Sequence, residues 1–453
     1  MADWRPIFFP QKPPAGISPG IYHYRIERPG RHRRVHLRVE KDGASLLLID
    51  ATVAIRLSQT ATDIAKGILD DWSVDKVVTR LRQRYRGAKR QQIENDYAKI
   101  RNILFPAEEP GDLCPWQSLD STASEPFSTE VSAPYRADLA LTYRCQNECP
   151  HCYVERDKQM PSLSLEEWRQ VLARLWNAGI PHICFTGGEA TLSEVLPPLI
   201  EYAEDLGQIT GLLTNGRRLS DAAYCRLLVG AGLDHVQITV ESHDPAIHNT
   251  MVGAAGHAET IEGLKNMIAQ DIYVVTNTTL TKPNLPAIDA TIEFLHRLGV
   301  RCFACNSIIH SGGGKSNALE VSLEELEQTL PLIAEKVRSL GMRFIWYTPT
   351  PYCRLNPARL DLGFKRCTAA EYNICVEPNG DVLPCQSYYR AAGNLMADDW
   401  DAIWNSPLFR DIRERRSVPD DCRACPDFSV CGSGCPLSRD HRIVFCQDRL
   451  SDG

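Results

Sequence analysis

The sequence predicts an α/β protein: a partial (β/α)6 barrel between an N-terminal winged-helix-like domain and a C-terminal cysteine-rich domain. Strand and helix patterns alternate along the middle of the chain, which is typical of a parallel sheet covered by helices. Short strands followed by helices precede this region, and eight cysteines lie between positions 367 and 446. We place the domains at residues 1–105, 135–346 and 347–453, with a linker at 106–134.

The N-terminal domain is predicted from three strand patterns followed by three helix patterns. Residues alternate as in strands at His23–Glu27 and Val35–Val39, and Ser45–Ile49 is a third short run. Helical spacing follows at Thr60–Leu69, Val74–Tyr85 and Gln91–Leu104. A three-stranded ribbon followed by three helices is the order of a winged helix.

The N-terminal domain is also basic. Residues 1–105 contain 20 Lys and Arg against 11 Asp and Glu, a net charge of +9, whereas the whole chain carries −7. The remainder therefore carries −16. Such an asymmetry indicates either a module that docks an acidic partner or a solvated basic face.

The middle region alternates six strand patterns with helices. The strand candidates are Ala137–Leu141, His182–Thr186, Gly211–Thr214, His235–Val240, Ile272–Leu280 and Cys302–Ile308. This alternation fits either a partial barrel or an open doubly wound sheet, and ligands bind at the carboxyl ends of the strands in both. Residues 106–134 are rich in Pro, Ser, Glu and Thr and read as a linker, whereas 347–453 show little periodicity.

Composition argues for a cytoplasmic protein that binds metal. Hydrophobic residues make up 43% and charged residues 24%, as in ordinary globular chains. The start of the chain lacks the pattern of a signal peptide, and no apolar run reaches the roughly 18–20 residues of a membrane span. Seventeen cysteines in a reducing compartment point to metal or redox chemistry rather than to disulfides.

The strongest local signal is the segment Cys145-Gln-Asn-Glu-Cys149-Pro-His-Cys152-Tyr153, directly after the first strand of the barrel. Three thiolates can hold three irons of a 4Fe–4S cluster and leave the fourth iron open to another ligand. The alternative is a zinc site with His151 as its fourth ligand.

A second signal, Gly187-Gly188-Glu189, lies at the end of the second strand. Two glycines permit a close backbone approach, and a carboxylate can accept hydrogen bonds from an ammonium group. By itself this segment also fits a plain strand-to-helix turn. Polar residues at three further strand ends, Asn215, Thr239 and Glu241, face the same choice between a ligand contact and a structural role.

A third signal is the spacing of the C-terminal cysteines. Cys367 and Cys385 flank Gly380, and a later group comprises Cys422, Cys425, Cys431, Cys435 and Cys446. A zinc ribbon is the alternative for the later group, because zinc favours four thiolates at similar spacing. Cys375 fits either a metal ligand or a buried strand residue.

The Cys-x3-Cys-x2-Cys segment followed by an aromatic residue resembles the signature of the radical S-adenosylmethionine (SAM) superfamily. The resemblance implies that the open iron chelates the methionine moiety of SAM and that Gly187, Gly188 and Glu189 hold its amino group. It also places Tyr153, Asn215, Thr239 and Glu241 around the cofactor. The family often has Pro after the Glu, where this chain has Ala190, and Ser-x-Asp at the fourth strand end, where it has Glu241-Ser242.

The later cysteines resemble the SPASM extension of these enzymes, which holds two auxiliary 4Fe–4S clusters. The resemblance assigns Cys422, Cys425, Cys431 and Cys446 to an outer cluster. It assigns Cys367, Cys385 and Cys435 to an inner one, whose fourth iron is bound by Cys375 or is open to substrate.

The N-terminal domain resembles the precursor-peptide recognition element, the fold of the pyrroloquinoline-quinone peptide chaperone, through the run from Leu46 to Tyr85. The three resemblances together imply a maturase of ribosomally made peptides. It would bind a leader peptide, acidic to match the basic module, and take electrons from flavodoxin or ferredoxin. The bond formed would be a thioether or a carbon–carbon cross-link. Alternatives are radical modification of a protein side chain, a precursor that supplies a redox cofactor, and a metal-stapled DNA-binding regulator.

Overall fold

The computed structural model describes residues 15–28, 31–50, 53–105, 131–270, 272–316 and 318–438. The chain divides into two compact units, Met1–Leu113 and Cys114–Gly453. The predicted linker lies mostly outside the described residues, as does Cys446.

The first unit is an antiparallel sheet followed by three helices. Its strands are β1 (Gly20–Arg28), β2 (Arg31–Val39), β3 (Ser45–Ile49) and β4 (Val53–Leu57), paired in chain order. Its helices are α1 (Gln59–Leu69), α2 (Val74–Arg84) and α3 (Arg90–Leu104). Three of the strands and all three helices are at the predicted positions.

The sequence analysis missed β4, so the predicted three-stranded ribbon has a fourth strand. The strand is only five residues long, and Ser58 alone separates it from α1. The Ser58 side chain caps α1 by accepting a hydrogen bond from Ala61 N at 3.3 Å. Strand and helix patterns therefore merge in the sequence at this point, and the winged-helix assignment stays a prediction.

A buried carboxylate ties α1 to α2. Asp63, 2% exposed, accepts a hydrogen bond from the Tyr85 hydroxyl at 2.9 Å and forms ion pairs with Arg80 and Arg84 at 3.5 and 3.2 Å. Burial and the Asp63 hydrogen bond raise the pKa of Tyr85 to about 12. Two arginines of the basic α2 segment are thereby committed to the fold of this unit.

The second unit is built on one ten-stranded sheet, in the order β11-β10-β9-β8-β7-β6-β5-β12-β13-β14. The alternating strands are β5 (Arg136–Thr142), β6 (His182–Gly187), β7 (Ile209–Thr214), β8 (His235–Thr239), β9 (Tyr273–Thr279), β10 (Cys302–Asn306) and β11 (Arg343–Trp346). The C-terminal strands are β12 (Asn373–Val376), β13 (Asp381–Leu383) and β14 (Gly393–Asn394).

Strands β5 to β11 are parallel and follow one another in the sheet as they do in the chain. In a doubly wound sheet the strand order reverses at a switch point. These seven strands have no such reversal, so the region is a partial barrel and not a doubly wound sheet. The prediction counted six strands, and Arg343–Trp346 is a seventh. On its other side β5 pairs with β12 rather than with β11, so the barrel is not closed by that pairing.

Helices follow the strands of the barrel and cover its outer face. They are α4 (Leu165–Asn177), α5 (Leu196–Leu206), α6 (Ala222–Gly230), α7 (Pro245–Val252), α8 (His257–Ile268), α9 (Ile288–Arg297) and α10 (Leu323–Ser339). The predicted capping box of α4 is present, with Ser164 and Glu167 satisfying each other's backbone N–H groups. No helix of the described ranges is long and apolar enough to cross a bilayer.

The C-terminal region is more regular than predicted. The short strands β12–β14 extend the barrel sheet, and four short helices follow them: α11 (Trp400–Trp404), α12 (Pro407–Arg413), α13 (Asp420–Arg423) and α14 (Phe428–Cys431). Strands of two to four residues leave almost no alternation to detect, which is why the sequence analysis missed them.

Candidate active site

The predicted cysteine triplet lies in the loop that leaves the carboxyl end of β5. The thiols of Cys145, Cys149 and Cys152 are close enough that charge on Cys152 and Cys145 would raise the pKa of Cys149. Burial raises the pKa of all three thiols. Iron binding would therefore have to displace their protons, as metal binding to cysteine does generally. Every described cysteine is free of disulfide bonds.

Two neighbouring loops hold this cysteine loop in place. Glu148 N donates to Val252 O at 3.0 Å, and Gly313 N donates to Cys152 O at 2.7 Å. The loop is therefore bound by the segments that follow β8 and β10, two strands that only β9 separates in the sheet.

The Gly-Gly-Glu segment at the end of β6 packs directly on the backbone that leads into Cys145. Gly188 N donates to Thr142 O at 2.8 Å, and Glu189 N donates to Arg144 O at 2.9 Å. A Cβ atom at Gly188 would lie 2.6 Å from Arg144 O and still closer to Tyr143 O. Only glycine fits this approach, which is made to the chain's own backbone. The role of the two glycines beside a ligand stays a prediction.

Glu189 is buried, 1% exposed, and already strongly hydrogen-bonded. Its Oε1 accepts from the Thr191 backbone at 3.1 Å and from the Thr191 and Thr214 hydroxyls at 2.7 Å each, and its Oε2 accepts from Asn215 N at 2.8 Å. A carboxylate has about four lone-pair sites, so Oε2 keeps one for a further donor such as an ammonium group. Glu189 thus joins the ends of β6 and β7.

Asn215, Glu241 and Thr239 lie on the strands next along the sheet. The Asn215 side-chain amide lies 3.9 Å from the sulfur of Cys145. Glu241 is 1% exposed, and charge on it would raise the pKa of Cys149. Thr239 is half-buried and shares the inner face of β8 with His235, because Val236 and Ile238 between them enter the helix-side core.

His151 contacts Glu241 rather than the three thiols as a group. Its Nε2 lies 3.3 Å from Glu241 Oε1. This contact disfavours the zinc alternative, in which His151 completes the site with the cysteines. Nothing in the sequence linked the two residues, which are 90 positions apart but meet at the barrel mouth.

Two basic residues near the cysteines were missed by the sequence analysis. Lys158 lowers the pKa of Cys145 and Cys152 against the larger effect of their burial. Arg217 donates to Gln146 O at 3.2 Å and to the Asn147 side chain at 3.0 Å, which fixes the first half of the cysteine loop. Lys158 follows the cysteine segment by a few residues, and Arg217 follows Asn215. Closeness in sequence to predicted site residues was therefore the signal that could have identified them.

Tyr153 is placed beside the triplet. Burial raises its pKa, and charge on Cys152 and Cys375 would raise it further. Tyr153 is therefore close to both Cys152 and Cys375.

Several C-terminal cysteines lie near one another in the structure. Charge on Cys367 and Cys435 would raise the pKa of Cys385, so these three thiols are neighbours. Cys431 interacts with Cys422, two members of the predicted outer set, and Cys425 follows Cys422 on one turn with its N–H donating to Cys422 O at 3.2 Å.

Cys375 is a buried strand residue on β12, 1% exposed, and packs in an apolar cluster with Ala140, Tyr143 and Leu383. Charge on Cys385 would raise the pKa of Cys375, an effect smaller than those of burial and of Asp138. The apolar packing favours the structural alternative, and ligation by Cys375 stays a prediction.

Two protein-family models match this chain. Residues 139–295 match the radical SAM superfamily, and residues 367–426 match the iron–sulfur cluster-binding SPASM domain. The chain is a radical SAM enzyme. Such an enzyme carries a 4Fe–4S cluster with SAM in its core domain, and a SPASM domain carries further 4Fe–4S clusters. The three neighbouring thiols, with Glu189 after β6 and Glu241 after β8, fit this cofactor set.

Curated relatives and solved structures agree with this assignment. The radical SAM enzyme is 26% identical over 317 residues to PqqA peptide cyclase of Streptomyces rochei, covering 67% of this chain and 85% of the relative. It is 28% identical over 333 residues to PqqA peptide cyclase of Rhizobium meliloti, covering 70% and 87%.

Two solved structures share the fold. Streptococcus suis SuiB bound to precursor peptide SuiA superposes with a TM-score of 0.67 at 15% identity, covering 91% of this chain and 96% of SuiB. The enzyme anSMEcpe with bound AdoMet and Kp18Cys peptide superposes with a TM-score of 0.55 at 16% identity, covering 68% and 90%.

The backbone contact at Gly188 predicts a loss of iron on substitution. We expect Gly188→Ala to push the Tyr143–Arg144 backbone away and displace Cys145, so that the reconstituted enzyme holds about four fewer irons per chain. Iron and labile sulfide analysis measures this. Gly230→Ala is the control, because a Cβ there meets nothing within 4 Å. Equal iron in both variants would contradict the proposed role of the contact.

The remaining acceptor site on Glu189 predicts weaker SAM binding in Glu189→Gln. A hydrogen bond to a charged group contributes about 1.5–3 kcal/mol, so the dissociation constant should rise about 10- to 100-fold. Equilibrium dialysis of SAM against the reconstituted enzyme measures it, with iron content as a check on the cluster. The exposed Glu194→Gln is the matched control, and unchanged SAM affinity in Glu189→Gln would rule out this contact.

Proposed function

We propose that this enzyme modifies a ribosomally made precursor peptide, joining two of its residues through a thioether or a carbon–carbon bond. The observation that carries the proposal is the extent of the match to SuiB, which was solved with a precursor peptide bound. The match covers 91% of the chain. The second unit, Cys114–Gly453, makes up only about three quarters of the chain. Both units therefore take part in it, and the relatives named peptide cyclase support the same substrate class.

The chemistry follows from the cofactors that the cysteine sets would hold. When bound and reduced, the core cluster supplies the electron that cleaves SAM to methionine and a 5′-deoxyadenosyl radical. The radical would take one hydrogen atom from the peptide. Closure of the new bond would release a proton and an electron, and an auxiliary cluster held by the C-terminal cysteines would accept that electron. The peptide therefore loses two hydrogen atoms in total for each cross-link.

The chain's own residues would position the reactants. Glu189 and Asn215 border Cys145 and would orient the methionine end of SAM. Thr239 at the end of β8 and Glu241 just after it would lie towards the ribose of SAM. We further propose that Cys367, Cys385 and Cys435 hold the inner auxiliary cluster and Cys422, Cys425, Cys431 and Cys446 the outer one.

The leader peptide would dock on the N-terminal unit, here proposed as residues 1–105. Strand β4 is an edge of its sheet, and no described strand pairs with its outer side. An extended peptide can add to such an edge through backbone hydrogen bonds. Ala54 and Ile55 on β4 are half-buried and would be covered, while Arg56 is exposed and would face an acidic leader.

The DNA-binding alternative loses its main support in the structure. That alternative rests on a run of six basic residues that could contact DNA: Arg80, Arg82, Arg84, Arg86, Lys89 and Arg90. Arg80 and Arg84 pair with the buried Asp63, and Arg90 pairs with Asp75 and Glu94. Half of the run is therefore directed at this unit's own carboxylates. Modification of a protein side chain remains the second candidate, since the core shares its fold with anSMEcpe.

Incubation with candidate peptides tests the function. We expect the anaerobic, reduced enzyme to convert a peptide encoded beside its gene to a product about 2 Da lighter, with one 5′-deoxyadenosine per cross-link. Alkylation of the remaining thiols then distinguishes a thioether from a carbon–carbon cross-link, because only the thioether consumes a cysteine thiol. Cys145→Ala should form neither product. SAM cleavage without any change in peptides from the neighbouring genes would refute the peptide substrate while leaving the radical chemistry intact.

Leader docking at β4 predicts a charge effect confined to one edge. Arg56→Glu should weaken binding of an acidic leader about 3- to 10-fold at low salt, and the difference should shrink as salt rises, because exposed charges act through screened attraction. Fluorescence anisotropy of a labelled leader measures this. Arg25→Glu, exposed on the opposite edge strand β1, is the matched control. A larger loss in Arg25→Glu would place the leader at β1 instead.

A further inference from the structure

A group of metal-ligating side chains lies inside the barrel, away from the cysteine loop. His182 and Cys184 on β6 and His235 on β8 place their ligand atoms within 4.8 Å of one another. The Nε2 atoms of the two histidines are 2.8 Å apart, and Cys184 Sγ lies 3.3 Å from His182 Nε2. All three side chains are buried: His182 is 4% exposed, and Cys184 and His235 are 0% exposed.

The sheet leaves a gap that lets these side chains meet. Cys184 is level with Gly211 on β7, and Gly211 is level with His235 on β8. Neighbouring strands are about 4.8 Å apart, so the Cα atoms of Cys184 and His235 are separated by about 10 Å. The His235 ring crosses this distance over Gly211: a Cβ atom there would lie 2.6 Å from Nε2 and closer still to Cε1.

The group is at the opposite end of the barrel from the radical site. His182 is the first residue of β6, and Glu189 lies just past its last. At about 3.3 Å per residue, the two ends of this strand are roughly 17 Å apart. These three residues therefore have no part in the chemistry assigned above to the cysteine triplet.

One ring nitrogen is the meeting point of the group. His182 Nε2 lies within bonding distance of both His235 Nε2 and Cys184 Sγ. A ring nitrogen of neutral imidazole has a single lone pair or a single proton to share between them. A cation between the three atoms accepts a lone pair from each, and burial favours the neutral ring that ligation requires.

We propose that His182, Cys184 and His235 bind a zinc ion that joins β6 to β8 across the floor of the barrel. Two imidazoles and one thiolate are a borderline-soft set that suits zinc, with a small molecule such as water in the fourth tetrahedral position. Zn–N distances of about 2.0–2.1 Å and a Zn–S distance of about 2.3 Å require ligand atoms roughly 3.3–3.6 Å apart. The two nitrogens would have to separate by about half an ångström, which side-chain rotation can supply.

Zinc content and its coordination test the proposal on the full-length enzyme. The enzyme is reconstituted with iron and sulfide, washed with chelator, given one equivalent of ZnCl2 and desalted. We expect about one zinc per chain at unchanged iron content. Zinc-edge X-ray absorption should show one sulfur at about 2.3 Å and nitrogen or oxygen at about 2.0–2.1 Å. This measurement needs no variant.

Variants then locate the ion. Cys184→Ala and His235→Gln should lose the zinc, whereas Cys305→Ala should keep it, because Cys305 is an equally buried cysteine on the helix-facing side of β10. A melting temperature that zinc raises in the wild type and not in Cys184→Ala would agree. A sulfur-only shell, which would place zinc in the cluster cysteines, overturns the proposal. Absence of zinc from the wild type, which would leave a hydrogen-bonded His–His–Cys group, overturns it as well.

Discussion

The radical site depends on one backbone contact, the packing of the end of β6 against the chain that leaves β5. Gly188 lies so close to Tyr143 and Arg144 that no side chain fits between them. This approach brings Glu189 beside Cys145, and Glu189 in turn binds the backbone of Asn215 at the end of β7. Three strand ends are thus fixed relative to one another by hydrogen bonds to the main chain. The consequence is a cofactor site whose geometry is set before any cofactor binds, as catalytic positioning requires.

The residues of this site that the sequence predicts share a feature: each lies at a strand end or in a short-range motif. The cysteine spacing, the two glycines and Glu189 are local patterns, and parallel strands bring their carboxyl ends to one edge, so their meeting could be foreseen. The contact between His151 and Glu241 could not, because only the curvature of the barrel brings these residues together. The same limit applies to β12, whose four residues pair with β5 from more than 200 positions away. Short strands carry little periodicity, and their position is decided by tertiary pairing.

The pairing of β12 with β5 also explains how the cysteine-rich extension is attached to the barrel. Glu377, directly after β12 and fully buried, accepts a hydrogen bond from the Tyr143 hydroxyl at 2.9 Å. It also forms a two-point ion pair with Arg156 at 2.7 and 2.9 Å. Tyr143 and Arg156 flank the cysteine triplet in sequence on either side. One buried carboxylate therefore ties both ends of the radical-cluster loop to the end of β12, which pairs with β13, the strand before Cys385. A buried, paired carboxylate is costly to disrupt, so this link holds the spacing between the core and inner cysteine sets.

The barrel interior has a layered polarity that decides from which side a substrate can enter. Polar groups lie at both ends: the site residues at the carboxyl ends, and the buried Asp138, His182 and His235 towards the amino ends. Between them is a dry layer that includes Val275, Cys302, Ala304 and Ile345, each at most 2% exposed. Burial of this layer closes the barrel floor to water and to peptide. A carbon radical formed at the mouth is then open to quenching from one direction only, which a bound peptide would itself cover. Cys184 packs within this same layer. A zinc ion bound by the histidine–cysteine group would therefore stiffen the floor from within, away from a substrate at the mouth.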